Sequence, residues 1–130
     1  MTTAPLTGRC ECGAIRLTIA QARPTATVCH CSQCRRISGH IWASTTVEDA
    51  DLTIAGEDHL RWYASSDHAK RGFCDTCGSA LFYRPDDATH TGVAMGCLDQ
   101  PTGITPGKHI FTADRGDYYA LPDDAPHFPD

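Results

Sequence analysis

The sequence is poor in the features that mark membrane, secreted and nucleic-acid-binding proteins. No apolar run approaches the roughly 20 residues that a membrane-spanning helix needs. The first ten residues, MTTAPLTGRC, have neither the basic start nor the apolar stretch of a secretory signal. Eleven Lys and Arg against sixteen Asp and Glu give a net charge of −5, which does not attract a phosphate backbone. We therefore expect a cytoplasmic protein with no membrane partner and no nucleic-acid partner.

The rest of the composition is that of an ordinary globular domain. Of the 130 residues, 41% are hydrophobic and 21% are charged, and no interdomain linker is evident, so we predict a single domain over residues 1–130. The chain also carries eight cysteines. Because disulfides rarely persist in a reducing cytosol, such cysteines usually bind metal or take part in catalysis. A disulfide scaffold is the alternative, and it predicts no bound metal.

Short strand patterns recur along the chain. In 14–20 and 59–65 apolar and polar residues alternate with a period of two, as in half-buried strands. One short helical turn is predicted over 32–38, ended by Gly39, and the proline-rich tail after Leu121 is expected to lack regular structure. β-branched or aromatic runs predict further strands at 41–48, 52–55, 79–84 and 92–98. This pattern indicates an antiparallel all-β domain.

Two short cysteine pairs, each followed by glycine, precede predicted strands: CECG at 10–13 and CDTCG at 74–78. The Cys-x-x-Cys-Gly turn aims two sulfurs to one side, its backbone N–H groups can bond those sulfurs, and the glycine accepts a positive φ. In the Cys-x-Cys pair the two side chains share a face if that stretch is extended. Structural zinc takes four ligands of this kind. We predict that the two pairs form one closed zinc site, which clamps a loop of more than sixty residues. This quartet consists of Cys10, Cys12, Cys74 and Cys77.

The segment CHCSQCRR places three more cysteines within six positions: Cys29, Cys31 and Cys34, the triplet. All three can face one ion, and zinc with three protein ligands keeps a fourth position for water or a thiol, as in catalytic sites. The remaining cysteine, Cys97, leaves two interpretations. As a fourth ligand it would close the site, whereas as a small buried residue it would leave the site open. The interpretation as a buried residue is favoured, because a lone cysteine beside a leucine in a strand is more often a core residue than a metal ligand.

Several stretches resemble the glutathione-dependent formaldehyde-activating enzymes, a family whose domain also occurs in the centromere protein V group. In chain order they are GRCECGAIRL, CHCSQCRRISG, RGFCDTCGSALFY and GCLDQP. The segment KHIFTADRGDYYALPDDAPHF is similar to the closing segment of that family. The resemblance extends from about Gly8 to Phe128. It implies an all-β fold of packed antiparallel sheets, of the Mss4-like or β-tent type, holding two zinc ions.

The resemblance also implies roles for the cysteines. It assigns the quartet to a structural zinc and the triplet to a catalytic zinc, which is the partition that the spacing predicts. The implied reaction joins a small thiol such as glutathione to an aldehyde, forming S-hydroxymethylglutathione when the aldehyde is formaldehyde. This is carbon–sulfur lyase chemistry.

Basic residues are concentrated near the cysteines, where five of the eleven Lys and Arg lie: Arg9, Arg35, Arg36, Lys70 and Arg71. Arg35 and Arg36 could bind substrate carboxylates, such as those at the ends of glutathione. Alternatively, these side chains neutralise the anionic sulfur clusters.

His40 could act as an acid or base near the triplet, or simply end the helical turn. His30 is expected to point away from the triplet, because its neighbours on both sides point toward it.

Two functions from different classes compete. An enzyme predicts a second zinc with an open position that faces a pocket. A non-catalytic binding module stabilised by zinc predicts two closed tetrahedral sites and no cavity beside the triplet.

Overall fold

The computed structural model describes residues 5–130, and residues 1–4 of the predicted domain lie outside the described residues. The described part contains ten strands and one α-helix. In chain order they are β1 (Leu6–Arg9), β2 (Arg16–Ile19), β3 (Thr25–Cys29), α1 (Ser32–Ser38), β4 (Trp42–Glu48), β5 (Leu52–Ala55), β6 (Leu60–Ala64), β7 (Ala69–Cys74), β8 (Ala80–Pro85), β9 (His90–Ala94) and β10 (Thr105–Ile110).

The strands form two sheets, which confirms the predicted all-β class. The smaller sheet has the order β1-β2-β5, and the larger has the order β10-β3-β4-β9-β8-β7-β6. All pairs are antiparallel except β10 with β3, which is parallel and departs from the prediction. Side chains from both sheets share one buried core, whose members include Leu17, Ile19, Val47, Phe82 and Val93. Burial of this apolar face holds the sheets together.

Four strands were not predicted: β1, β3, β7 and β10. In β7 the pairing register shifts between Gly72 and Phe73, and this bulge breaks the alternation that would reveal a strand. β10 contains Pro106 and Gly107, which are both disfavoured in strands. The proline is tolerated because β10 lies at the edge of the larger sheet.

Two predicted strands differ in detail. The strand predicted at 92–98 ends at Ala94 and continues as a 3₁₀ turn over Met95–Cys97. The strand predicted at 59–65 is present as β6, but it is not half-buried, since every residue after Leu60 is exposed. β6 lies at the other edge of the larger sheet, and the shared core reaches only its first residue.

The helix α1 is confirmed with its predicted bounds. Cys31 caps its start, where the Cys31 Sγ accepts a hydrogen bond from the Cys34 backbone N–H at 3.2 Å. Gly39 ends it with a φ of +90°, and its N–H donates to Arg35 O at 2.8 Å. With seven residues α1 is short, and among residues 5–130 no helix is long and apolar enough to cross a membrane.

The tail after Leu121 has no helix or strand, as predicted, but backbone hydrogen bonds connect it to β10. The His109 N–H donates to Pro126 O, and the Phe128 N–H donates to His109 O, both at 2.8 Å. The tail thereby follows the same edge strand that pairs with β3.

Candidate metal centres

The four sulfurs of the quartet converge between the two sheets. Cys10 and Cys12 follow β1 of the smaller sheet, whereas Cys74 and Cys77 lie at the end of β7 and in the next turn. All four Sγ atoms lie within 4.8 Å of one another. The Sγ–Sγ distance is 3.6 Å for Cys10 and Cys12 and 3.8 Å for Cys12 and Cys74. A tetrahedral ion with metal–sulfur distances of about 2.3 Å requires sulfur–sulfur edges of about 3.8 Å, so the donor set fits zinc.

The turn of the second pair has the predicted local geometry, whereas the first pair lies in a turn and not in an extended stretch. The glycines after the pairs adopt left-handed backbones, with φ +81° at Gly13 and +79° at Gly78. Backbone N–H groups donate to the sulfurs, from Ile15 to Cys10 at 3.3 Å and from Thr76 to Cys74 at 3.4 Å. The backbone is therefore arranged to support negative charge on these sulfurs.

One hydroxyl adds to this electrostatic arrangement. The Ser79 Oγ lies 3.2 Å from the Cys77 Sγ. Hydrogen bonding from Ser79 lowers the pKa of the Cys77 thiol to about 5. Metal ligation requires the thiolate, so this cysteine is prepared to bind.

The triplet lies at the junction between β3 and α1. Cys29 ends the strand, Cys31 caps the helix and Cys34 lies one turn inside it. Their three Sγ atoms also lie within 4.8 Å of one another, with Cys29 and Cys34 buried. Within the described chain, no fourth potential ligand belongs to this cluster. Three soft donors with no fourth protein donor fit a zinc site of the open kind.

The two buried sulfurs of the triplet differ in their proton affinity. Hydrogen bonding from Cys29, then from Cys31 and Arg71, lowers the pKa of Cys34 to about 5. The same contact with Cys34, together with burial, raises the pKa of Cys29. Negative charge in the cluster is therefore centred on Cys34, beside the Arg71 guanidinium.

A cavity of about 330 Å³ opens beside the triplet. This volume lies within the range of small-molecule sites. Its walls combine the three sulfurs, aromatic rings and polar side chains, the latter two groups including Trp42, Tyr83, Gln33, Ser44, His68 and Arg71. The triplet therefore faces space that a substrate can enter.

Arg71 is a site residue whose place beside the triplet the sequence did not indicate. In the sequence it lies near Cys74 of the quartet, but its Nη2 lies 3.5 Å from Cys34 Sγ and 3.4 Å from Gln33 Oε1. The residue is 7% exposed, and its guanidinium carbon lies 4.9 Å from the ring centroid of Tyr83. The only sequence signal was an arginine three residues before Cys74, and without β7 its direction could not be inferred.

The charge of Arg71 has no carboxylate partner among residues 5–130. Its Nε and Nη1 are also buried without a hydrogen-bond partner. An unpaired buried cation is costly unless an opposite charge lies nearby. The sulfur cluster supplies that charge, so Arg71 and the triplet form one electrostatic unit.

The three predicted substrate contacts lie away from this cavity. Arg35 and Arg36 occupy the last turn of α1, and His40 follows Gly39. The His40 Nδ1 lies 2.8 Å from the hydroxyl of Tyr118. Arg35, Arg36 and His40 do not line the cavity beside the triplet.

Cys97 lies outside both sulfur clusters. It ends the 3₁₀ turn after β9, and its Sγ donates to Ala94 O at 3.2 Å. Burial raises its pKa to about 12. Cys97 therefore packs as a small protonated side chain between the two apolar clusters of the protein.

Comparisons with known proteins identify relatives. Over 80 residues the chain is 34% identical to an uncharacterized lyase of Schizosaccharomyces pombe, a match that covers 58% of this chain and 55% of that protein. The chain thus spans about half the length of this curated relative. A crystal structure of a Rhodobacter sphaeroides protein is similar with a TM-score of 0.58 and 29% identity, covering 74% of this chain and 90% of that one.

A family model described as "Glutathione-dependent formaldehyde-activating enzyme" matches residues 5–114. The match contains every cysteine of the quartet and the triplet, in the order that the motifs require. The chain belongs to the family of glutathione-dependent formaldehyde-activating enzymes.

Proposed function

We propose that the protein is a zinc-dependent carbon–sulfur lyase. It forms or cleaves adducts between a small thiol, such as glutathione, and an aldehyde; S-hydroxymethylglutathione is one such adduct. The triplet holds the catalytic ion and the quartet holds a structural ion. Family membership and the relative named as a lyase support the reaction class.

One observation carries the proposal: the triplet faces a cavity and has no fourth protein ligand among the described residues. A binding module with two closed zinc sites requires a fourth ligand and needs no cavity. Cys97 was the candidate for that ligand, but its thiol donates a hydrogen bond to a backbone carbonyl instead. The open arrangement therefore favours the enzyme over the module.

The reaction needs little from the protein beyond activation and placement. Zinc bound by the triplet would supply a Lewis acid that lowers the pKa of a substrate thiol. The sulfur lone pair forms the new carbon–sulfur bond, the carbonyl π electrons move to oxygen, and the proton lost by sulfur ends on that oxygen. The walls of the cavity, including Trp42 and Tyr83, hold the two reactants together and limit competing water.

Charge balance suggests that Arg71 neutralises the metal site. Three thiolates around a divalent ion leave one net negative charge, which opposes the approach of an anionic substrate sulfur. The Arg71 guanidinium, in contact with Cys34 Sγ, cancels that charge. Arg35, Arg36 and His40 remain proposed contacts for the distant carboxylates of a glutathione-sized substrate.

Replacing Arg71 by methionine is expected to slow adduct formation about 10- to 100-fold, because the cluster loses its counter-charge. The rate is measured as kcat/KM with both ions counted in the same sample. Arg71→Lys, which keeps the charge, should restore part of the rate. The matched control is Lys70→Met on the same strand, because the Lys70 Nζ lies over the Trp62 ring. This variant should leave the rate unchanged. Equal rates for Arg71→Met and Lys70→Met would contradict this role.

The proposed function is tested by exchange spectroscopy. Glutathione and ¹³C-labelled formaldehyde form their adduct spontaneously, and NMR measures how fast the label exchanges between free and bound pools. The protein carrying two zinc ions is expected to accelerate this exchange, and a panel of other thiols and aldehydes then defines its selectivity. A two-ion protein that accelerates none of these pairs would support the non-catalytic module.

A further inference from the structure

A chain of hydrogen bonds through two buried histidines links the tail to the middle of the triplet. The Asp124 Oδ1 lies 2.7 Å from His109 Nε2, and His109 Nδ1 lies 2.8 Å from His30 Nε2. The chain ends at the hydroxyl of Tyr119, 2.6 Å from His30 Nδ1. His30 is 1% exposed and His109 is 2% exposed, so neither exchanges these bonds for water.

With a carboxylate at Asp124 and two neutral rings, the hydrogen bonds run in one consistent direction. An Asp124 carboxylate can only accept, so His109 Nε2 donates to it. With neutral rings, His109 Nδ1 then accepts from His30 Nε2, and His30 Nδ1 accepts from the Tyr119 hydroxyl. All four ring nitrogens of the two histidines thus have a partner, which makes the arrangement rigid.

This network holds the backbone between two of the triplet cysteines. His30 stands between Cys29 and Cys31, and its side chain points away from the triplet, as predicted. Its backbone N–H donates to Ile110 O of β10 at 3.0 Å. Tyr119 and Asp124, which complete the network, both belong to the C-terminal region that follows β10.

We propose that Tyr119 and Asp124 are positioning residues for the triplet. Through His109 and His30 they fix the direction in which Cys29 and Cys31 present their sulfurs. The C-terminal segment thereby determines how tightly the triplet holds an ion. This inference rests on the proposed function, because it takes the triplet to be a metal site. Groups that orient ligands from outside the coordination sphere typically change metal affinity 10- to 100-fold when removed.

The test measures the release of each zinc ion to a chromophoric chelator, without any activity assay. The kinetic phase that is missing in Cys34→Ser identifies the triplet ion. Tyr119→Phe removes one hydroxyl, and Asp124→Ala removes the acceptor. Both are expected to release the triplet ion about 10- to 100-fold faster and the quartet ion at the unchanged rate. Asp124→Asn keeps an acceptor oxygen and should lie closer to the parent protein.

Asp123→Ala is the matched control, because it removes the neighbouring exposed carboxylate, which has no partner in the described structure. It should release both ions as the parent does. An unchanged triplet phase in Tyr119→Phe, or equal acceleration of both phases, would overturn the inference, because a general loss of stability would loosen both ions. If Asp124→Ala does not fold, Tyr119→Phe decides. A parent protein that binds only one ion would refute the proposed function itself.

Discussion

Replacing Cys74 by alanine is expected to remove one of two bound ions and most of the stability of the fold. Cys74 is fully buried, and its sulfur lies within 4.8 Å of the quartet sulfurs that follow β1 of the smaller sheet. Structural zinc contributes about 10–16 kcal/mol in small zinc domains, which equals or exceeds the net stability of most domains. Even a partial loss of about 5 kcal/mol would lower the melting temperature by roughly 20 °C.

Metal analysis and thermal unfolding followed by circular dichroism measure these two effects. Cys97→Ala is the matched control, because it removes a partly buried thiol that belongs to neither cluster. It should keep two ions and lose only the stability expected of a small cavity. If Cys74→Ala retained both ions and melted with the parent protein, the structural role of the quartet would be wrong.

Cys34→Ser is expected to separate chemistry from folding. The variant should keep the quartet ion and the fold, lose the second ion, and catalyse thiol–aldehyde exchange at least about 1000-fold more slowly. This factor corresponds to roughly 4 kcal/mol of lost transition-state stabilisation, an ordinary contribution for a catalytic metal. Hydrogen bonding from Cys29 lowers the pKa of Cys34 to about 5, and Cys34 contacts Arg71, so its removal takes both a ligand and the partner of the buried cation.

Exchange spectroscopy and metal counting on the same sample check this result. Cys97→Ala again serves as the control and should retain activity. A Cys34→Ser variant with one ion and full activity would place the chemistry elsewhere in the molecule.

The triplet and each cysteine pair of the quartet could be predicted from the sequence because their determinants are local. Cysteine spacing defines which sulfurs lie close together along the chain, and the positive φ at Gly78 follows from the tight turn of the Cys-x-x-Cys pair. The helix α1 was predicted for the same reason, with Gly39 marking its end. Each feature is decided within a few residues of chain.

Arg71 and the parallel pairing of β10 could not be predicted, because both depend on contacts between distant segments. Arg71 faces the triplet only because β7 lies across the sheet from β4, with β8 and β9 between them. β10 is stabilised by its pairing with β3, which outweighs the poor strand propensity of its proline and glycine. The cavity results from this long-range arrangement, so no sequence motif indicates it.

The two sulfur clusters span unequal lengths of chain, and this difference sets the order in which their cysteines can meet during folding. The triplet lies within six positions, so bringing its cysteines together costs little entropy. The quartet must wait for Cys77 and for the encounter of two segments that are far apart in the nascent chain. The cysteines of the triplet can thus approach one another before the sheets form, whereas those of the quartet cannot.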